Sequence, residues 1–199
     1  MYQLPPSPQV REIGYAWWRG AFSKEDLAKI IALGESLPKQ SGRIFSDPEG
    51  KSIETVERQR RCQVSWIEFN EESRWLYEAL GKFVGELNAG WFGFDLFGFV
   101  DNLQYTVYEQ TESGPGHYDW HIDMGCTAAP RKLSITVNLS EPEEYDGGNL
   151  EFRDLSTKQV KRDAGMVHAF PSWAAHRVTP VTRGVRRSLV GWVAGPAFR

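Results

Sequence analysis

Two short elements, His117-Tyr118-Asp119 and His121-Ile122-Asp123, each set an imidazole and a carboxylate two residues apart. On a strand, residues i and i+2 share a face, so either element can aim a nitrogen and an oxygen donor at one point. A further donor stands far downstream: His176 lies 53 residues after Asp123 (176 − 123). Two imidazoles and one carboxylate on one face of an octahedron leave three positions open, which suits a ferrous ion that must also take a co-substrate and O2. Spacing alone leaves His117 with Asp119 as a rival pair and His168 as a rival distal donor.

Ten residues past His176 (186 − 176) comes Arg186, followed by Ser188. Strand parity puts Arg186, Ser188, Val190 and Trp192 on one face. A cation and a hydroxyl on such a face can grip a carboxylate. An arginine in a strand otherwise rich in apolar residues is costly to bury unless an anion meets it, and a dicarboxylate co-substrate would supply one.

These residues need a scaffold, and the chain shows one. Ile13 to Arg19 reads as a strand. Ser23 and Asp26 form a capping box ahead of Leu27, Ile30, Ile31 and Leu33, so a helix is expected to about Leu37–Pro38. Residues 39–57 read as loop with room for one short strand, and Cys62 to Phe69 as a strand. Asn70 followed by two glutamates starts a second helix over 71–88, with Trp75, Leu76, Leu80, Phe83, Val84 and Leu87 at helical spacing. Beyond Gly90 the pattern changes to short β-forming runs: Phe94–Val100, Leu103–Tyr108, Lys132–Leu139, Asn149–Phe152, Val167–Phe170 and Arg187–Val193. Turns such as Gly114-Pro115-Gly116 and Asp146-Gly147-Gly148 separate them. Many short strands indicate a sandwich or barrel, with the two helices over one face.

Composition bounds the function classes. The 199 residues, 41% of them hydrophobic and 25% charged, suit one globular domain with a real core. A net charge of −3 offers no electrostatic argument for a nucleic-acid or membrane partner. The two cysteines, Cys62 and Cys126, form no disulfide framework, and no run approaches the 18 apolar residues of a membrane span. The first residues carry no basic-then-apolar signal pattern, so a cytoplasmic setting is expected. Arg183 and Arg187 are expected on solvated faces, as are Arg58, Arg60 and Arg61 with the substrate entrance as their alternative, and Trp120 at a rim or in packing.

Taken together, Tyr105-x-x-Tyr108, His117 to Asp123, Arg131-Lys132-Leu133-Ser134, Asp146-Gly147-Gly148-Asn149-Leu150, Phe170-Pro171-Ser172 … His176-Arg177-Val178-Thr179-Pro180-Val181 and Gly184-Val185-Arg186 resemble the prolyl 4-hydroxylase-like (PKHD-type) branch of the Fe(II)/2-oxoglutarate-dependent dioxygenases. The likeness runs from about residue 94 to the C-terminus, more loosely over the helices.

The resemblance implies an α+β, mainly β fold. It would be one domain over 1–199, with an extended arm (1–12), a helical support region (13–93) and a double-stranded β-helix, or jelly-roll, core (94–199). It implies His121, Asp123 and His176 as ligands of Fe(II), with Arg186 and Ser188 on the far carboxylate of 2-oxoglutarate. An aromatic three residues before the metal histidine, as Tyr118 stands to His121, favours His121 over His117. Tyr108 resembles the family tyrosine that contacts the co-substrate. The interval from Tyr108 to His121 is longer than the family pattern, with Thr111–Gly116 resembling an insertion, so Tyr105 and Tyr118 stay open for that role.

The activity implied is hydroxylation of an unactivated C–H bond with O2, ascorbate being supportive. The substrate would be a prolyl residue in a peptide or protein, or alternatively a free amino acid or small metabolite. A non-catalytic jelly-roll binding module, or an iron oxygenase that needs no oxoacid, would keep many of the same residues; dependence on 2-oxoglutarate separates them.

Overall fold

The computed structural model describes residues 14–42, 58–124, 131–155 and 160–197. The expected arm at 1–12, residues 43–57 of the expected loop, and Cys126 lie outside them.

In chain order the elements are β1 (Ala16–Trp18), α1 (Lys24–Ser36), β2 (Gln40–Ser41), β3 (Arg60–Arg61), β4 (Gln63–Ile67), α2 (Arg74–Leu87), β5 (Gly98–Phe99), β6 (Leu103–Thr111), β7 (Gly114–Pro115), β8 (His117–His121), β9 (Arg131–Asn138), β10 (Tyr145–Gly147), β11 (Leu150–Phe152), β12 (Val167–Pro171), β13 (His176–Val178) and β14 (Val181–Ala194). They form two antiparallel sheets. The larger runs β1-β12-β9-β14-β6-β4-β2, with β5 and β10 on β14 and β7 on β6; the smaller runs β11-β13-β8-β3. This is the mainly β, jelly-roll-type fold expected, though neither sheet closes on itself.

α1 begins at the predicted capping box: Ser23 Oγ accepts from the Asp26 backbone N–H, and the Asp26 carboxylate accepts from Ser23 N–H. α2 starts three residues later than expected. Asn70 spends its side-chain oxygen on the N–H groups of Glu72 and Ser73, making a turn before the first helical residue. Leu76, Leu80, Val84 and Leu87 are its buried stripe. Each such side chain contributes about 1.5–3 kcal/mol when fully withdrawn from water.

That stripe meets one face of the large sheet. Leu103, Tyr105 and Val107 of β6, Leu133, Ile135 and Val137 of β9, and Leu189 and Val193 of β14 pack in a single cluster with Leu27 and Ile30 of α1 and the α2 stripe. Alternation sends the intervening residues to the other face. Gln104 and Tyr108, Ser134, Thr136 and Asn138, and Arg186, Ser188, Val190 and Trp192 therefore point toward the small sheet. The helices stabilise one side of the sheet, and the polar residues on the other are left for chemistry.

β14 is longer than the expected Arg187–Val193 because Val181–Val185 also pairs, with β10 and then β6. β13 was not foreseen; three residues carry too little alternation to show. The stretch Thr111–Gly116, which resembles an insertion, extends β6 into a short hairpin with β7 and leaves Tyr108 in register opposite Arg186.

Candidate metal and co-substrate site

A cavity of about 680 Å³ lies between the two sheets. At one side His121 and His176 are direct partners across the β8–β13 ladder, and their rings lie 4.1 Å apart between centroids. Asp123 sits two residues past the end of β8. Its backbone is held by N–H donation to Ser172 O at 2.9 Å. One donor atom from each of His121, Asp123 and His176 lies within 4.8 Å of the others. His121 Nε2 is 3.7 Å from Asp123 Oδ1, and His176 Nε2 is 3.6 Å from Asp123 Oδ2.

The tautomers fit a cation. His121 Nδ1 donates to Asp119 O at 2.7 Å and His176 Nδ1 to Ala174 O at 2.9 Å, so both Nε2 lone pairs are left facing the carboxylate. Burial, reinforced by His176 alongside, pushes the His121 imidazole down to about 4, so it is neutral and able to donate at physiological pH. Burial alone would raise the Asp123 carboxyl. The two imidazoles and the Ser134 hydroxyl, 2.8 Å from Oδ2, outweigh it and hold the group below the usual carboxylate range. A buried carboxylate between two imidazole nitrogens is a set that a divalent ion completes.

The rival histidines sit elsewhere. His117 engages Pro115 O and Arg58 O through its two ring nitrogens and is not in the cluster. His168, the rival distal donor, is not in the cluster either. It is fully buried, stacked on Tyr15, with Tyr15 Oη 2.6 Å from Nδ1 and the Asn138 amide donating to Nε2. Burial, helped by the nearby Arg186 charge, pushes it down to about 4.

Arg186 is 3% exposed and donates to Ser188 Oγ at 3.4 Å. Tyr108 is its cross-strand partner, with the guanidinium 5.4 Å from the ring centre. Arg186, Ser188, Tyr108 and Trp192 all line the cavity. Tyr105 does not: it points the other way, under α1, and its hydroxyl donates to Glu35. Tyr118 lines the cavity and stacks on His121 with centroids 3.5 Å apart. Burial raises its phenol to about 12, and that of Tyr108 further still.

Arg60 takes the alternative to a surface position. It is 7% exposed, lines the cavity and lies 4.5 Å over the Tyr118 ring. Its neighbours Arg58 and Arg61 are exposed and half-buried. Arg187, expected in solvent, is half-buried in an ion pair with Glu35, whereas Arg183 is exposed and pairs with Asp146. Trp120 lines the mouth between the guanidinium groups of Arg153 and Arg177.

The roles of four residues escaped the sequence reading. Ser134 braces the carboxylate, Phe170 and Phe152 wall His176, and Arg131 donates to Asp123 O. Ser134 stood in a motif already noted, two residues from a strand start; nothing in its type marked the contact.

Two imidazoles and a carboxylate thus converge in one cavity with a buried arginine. Residues 103–194 match the model of the 2OG-Fe(II) oxygenase superfamily. More particularly, the chain is similar to PKHD-type hydroxylases. It is 46% identical over 88 residues to one from Hyphomonas neptunium, covering 41% of this chain and 39% of the relative. It is 34% identical over 99 residues to one from Synechococcus sp., covering 49% of this chain and 44% of the relative. The match thus spans less than half the length of these relatives. PKHD-type hydroxylase YbiX of Escherichia coli is 28% identical over 181 residues, 87% of this chain and 75% of YbiX. Among solved structures, a Pseudomonas putida prolyl-4-hydroxylase shares the fold with a TM-score of 0.68 at 21% identity, covering 94% of this chain and 95% of that one. A Trichoplax adhaerens prolyl hydroxylase, solved with a hypoxia inducible factor peptide fragment, gives 0.72 at 16% identity, covering 92% of this chain and 84% of that one. Among the described residues no helix is long and apolar enough to cross a membrane.

Proposed function

We propose that this chain is a single-domain, Fe(II)- and 2-oxoglutarate-dependent dioxygenase that hydroxylates an unactivated C–H bond. The observation that carries the reading is the convergence of His121, Asp123 and His176 within 4.8 Å, in the same cavity as a buried Arg186. His121 and His176 would hold iron through Nε2 and Asp123 through its carboxylate. When bound, iron with 2-oxoglutarate and O2 supplies the oxidising power to replace hydrogen by hydroxyl on carbon, with succinate and CO2 as co-products.

The chain's own residues bind and orient. Arg186 and Ser188 receive the far carboxylate of 2-oxoglutarate, which offsets the cost of burying the guanidinium. Tyr108, opposite Arg186, closes that end of the pocket. Phe152 and Phe170 exclude water around His176 and fix its ring. The two Nδ1–H bonds keep both imidazoles in the donor tautomer throughout.

For the substrate we favour a prolyl residue in a peptide or protein. Support comes from the PKHD-type relatives and from a cavity whose mouth is flanked by Trp120 and exposed Ile122 and Met124, a surface that suits a chain running past the metal. A cytoplasmic setting is consistent with the free thiol of Cys62.

The test is direct. The purified chain with Fe(II), 2-oxoglutarate and ascorbate should form succinate. Proline-containing peptides and free amino acids, offered in parallel, should separate the substrate classes by a mass gain of one oxygen atom. Iron-dependent oxidation with no need for 2-oxoglutarate, or binding without any turnover, would replace the proposal.

A further inference from the structure

Asp123 lies beyond the end of β8, where no ladder holds it, yet a metal-binding carboxylate has to be aimed to within a few tenths of an ångström. Its amide is fixed by Ser172 O and its carboxylate by Ser134 Oγ. Its carbonyl is fixed by Arg131, whose Nη1 donates to Asp123 O at 3.3 Å. Arg131 opens β9, eight residues on in the sequence, so this bond ties together the two ends of the intervening stretch.

Arg131 is itself firmly placed. It is 6% exposed, and its Nε and Nη2 both reach Asp101 Oδ2, at 2.9 and 2.8 Å. Its guanidinium lies 3.9 Å over the ring of Trp192. Trp192 lines the cavity, with its indole N–H toward the Asp123 carboxylate. One planar cation therefore joins three elements: the Asp101 turn before β6, the end of β14 and the backbone of Asp123. A lysine ammonium could pair with Asp101, but it lacks the plane and the spread of donors needed to stack on the indole and hold the carbonyl at the same time.

We infer that Arg131, anchored by Asp101, is a positioning residue that sets the orientation of Asp123 toward the metal. The inference rests on the metal assignment above. Mutation of groups that orient metal ligands weakens metal affinity by about 10–100-fold.

The test measures Co(II), a spectroscopic substitute for Fe(II), by titrating the full chain and following its visible absorption. Arg131→Met should weaken Co(II) binding about tenfold or more and change the band shape, which a packing defect remote from the metal would not do. Arg131→Lys should fall between. Thermal melts of each variant show whether it folds. Folded Arg131 variants that bind Co(II) within twofold of wild type, with an unaltered spectrum, overturn the inference. If neither folds, Asp101→Asn decides, because it removes the anchor and leaves the guanidinium: a loss of threefold or more supports the role, and unchanged affinity overturns it. Wild-type protein that binds no Co(II) would instead sink the metal assignment itself, so the two failures are distinguishable.

Discussion

A Cβ atom built on Gly148 would lie 2.8 Å from Cδ of Arg186, so the stem of the buried arginine occupies the space that this glycine leaves empty. Gly148 also has φ +59°, in the left-handed region. Gly148→Ala should therefore act twice. Stability should fall by about 1–3 kcal/mol from backbone strain, and KM for 2-oxoglutarate should rise as Arg186 is displaced. Succinate formation against co-substrate concentration, beside a thermal melt, reads both effects. An unchanged KM would show that the arginine adapts.

The three clustered side chains should behave as a unit. His176→Ala and Asp123→Ala each remove a donor and should abolish both succinate formation and metal retention, measured by metal analysis after dialysis. Ser134→Ala, which takes away only the hydroxyl beside Asp123 Oδ2, should keep activity but weaken the metal by about tenfold. Equal loss in all three would mean that Ser134 does more than brace.

Arg186→Met should raise KM for 2-oxoglutarate by about 10–100-fold, the equivalent of a charge-assisted hydrogen bond of about 1.5–3 kcal/mol. Tyr108→Phe and Tyr118→Phe separate the two phenols in the cavity. The one that touches the co-substrate should raise KM several-fold when its hydroxyl is removed; the other should leave KM alone. Tyr105→Phe should affect only stability, since its hydroxyl serves Glu35 on the helix side.

Glu35 gives a pH prediction. Burial would raise its carboxyl, but Lys39, the Tyr105 hydroxyl and Arg187 outweigh this and bring it to about 2, from 4.5. A carboxylate depressed in the folded state contributes its full stabilisation above its unfolded value and loses it as pH falls. The difference in melting temperature between wild type and Glu35→Gln should thus be largest near pH 7 and shrink as pH falls from about 4.5 to 2. A gap that is constant with pH would mean that the ion pair contributes nothing.

Much of this was legible in the chain. The two-residue spacing of His121 and Asp123 and the strand parity of Arg186 and Ser188 are local signals, and local geometry carried them into the cavity. What stayed hidden depends on contacts between distant residues. His168 is buried because Tyr15, 153 positions away, stacks on it, and Asn138, 30 away, meets its other nitrogen. Arg60 turns inward because β3 pairs with β8 over Tyr118, which two residues of strand cannot announce. Arg131 reads as an ordinary basic residue until Asp101, Trp192 and Asp123 are seen around it. The late start of α2 has a local cause, the Asn70 turn, in a sequence whose glutamates pointed to an earlier one.

Strand β14 alternates between core side chains on the helix side and cavity-lining ones on the other, so its two sets of positions can be altered for separate ends. Randomising 186, 188, 190 and 192 would search for new oxoacid preferences while the fold stays intact; randomising 189 and 193 would retune heat tolerance with little change in selectivity. A slip of one residue against β6 or β9 would exchange the two sets at a stroke, leaving Leu189 facing the cavity and Arg186 sunk among leucines. Folding of this protein and assembly of its chemistry are for that reason one event.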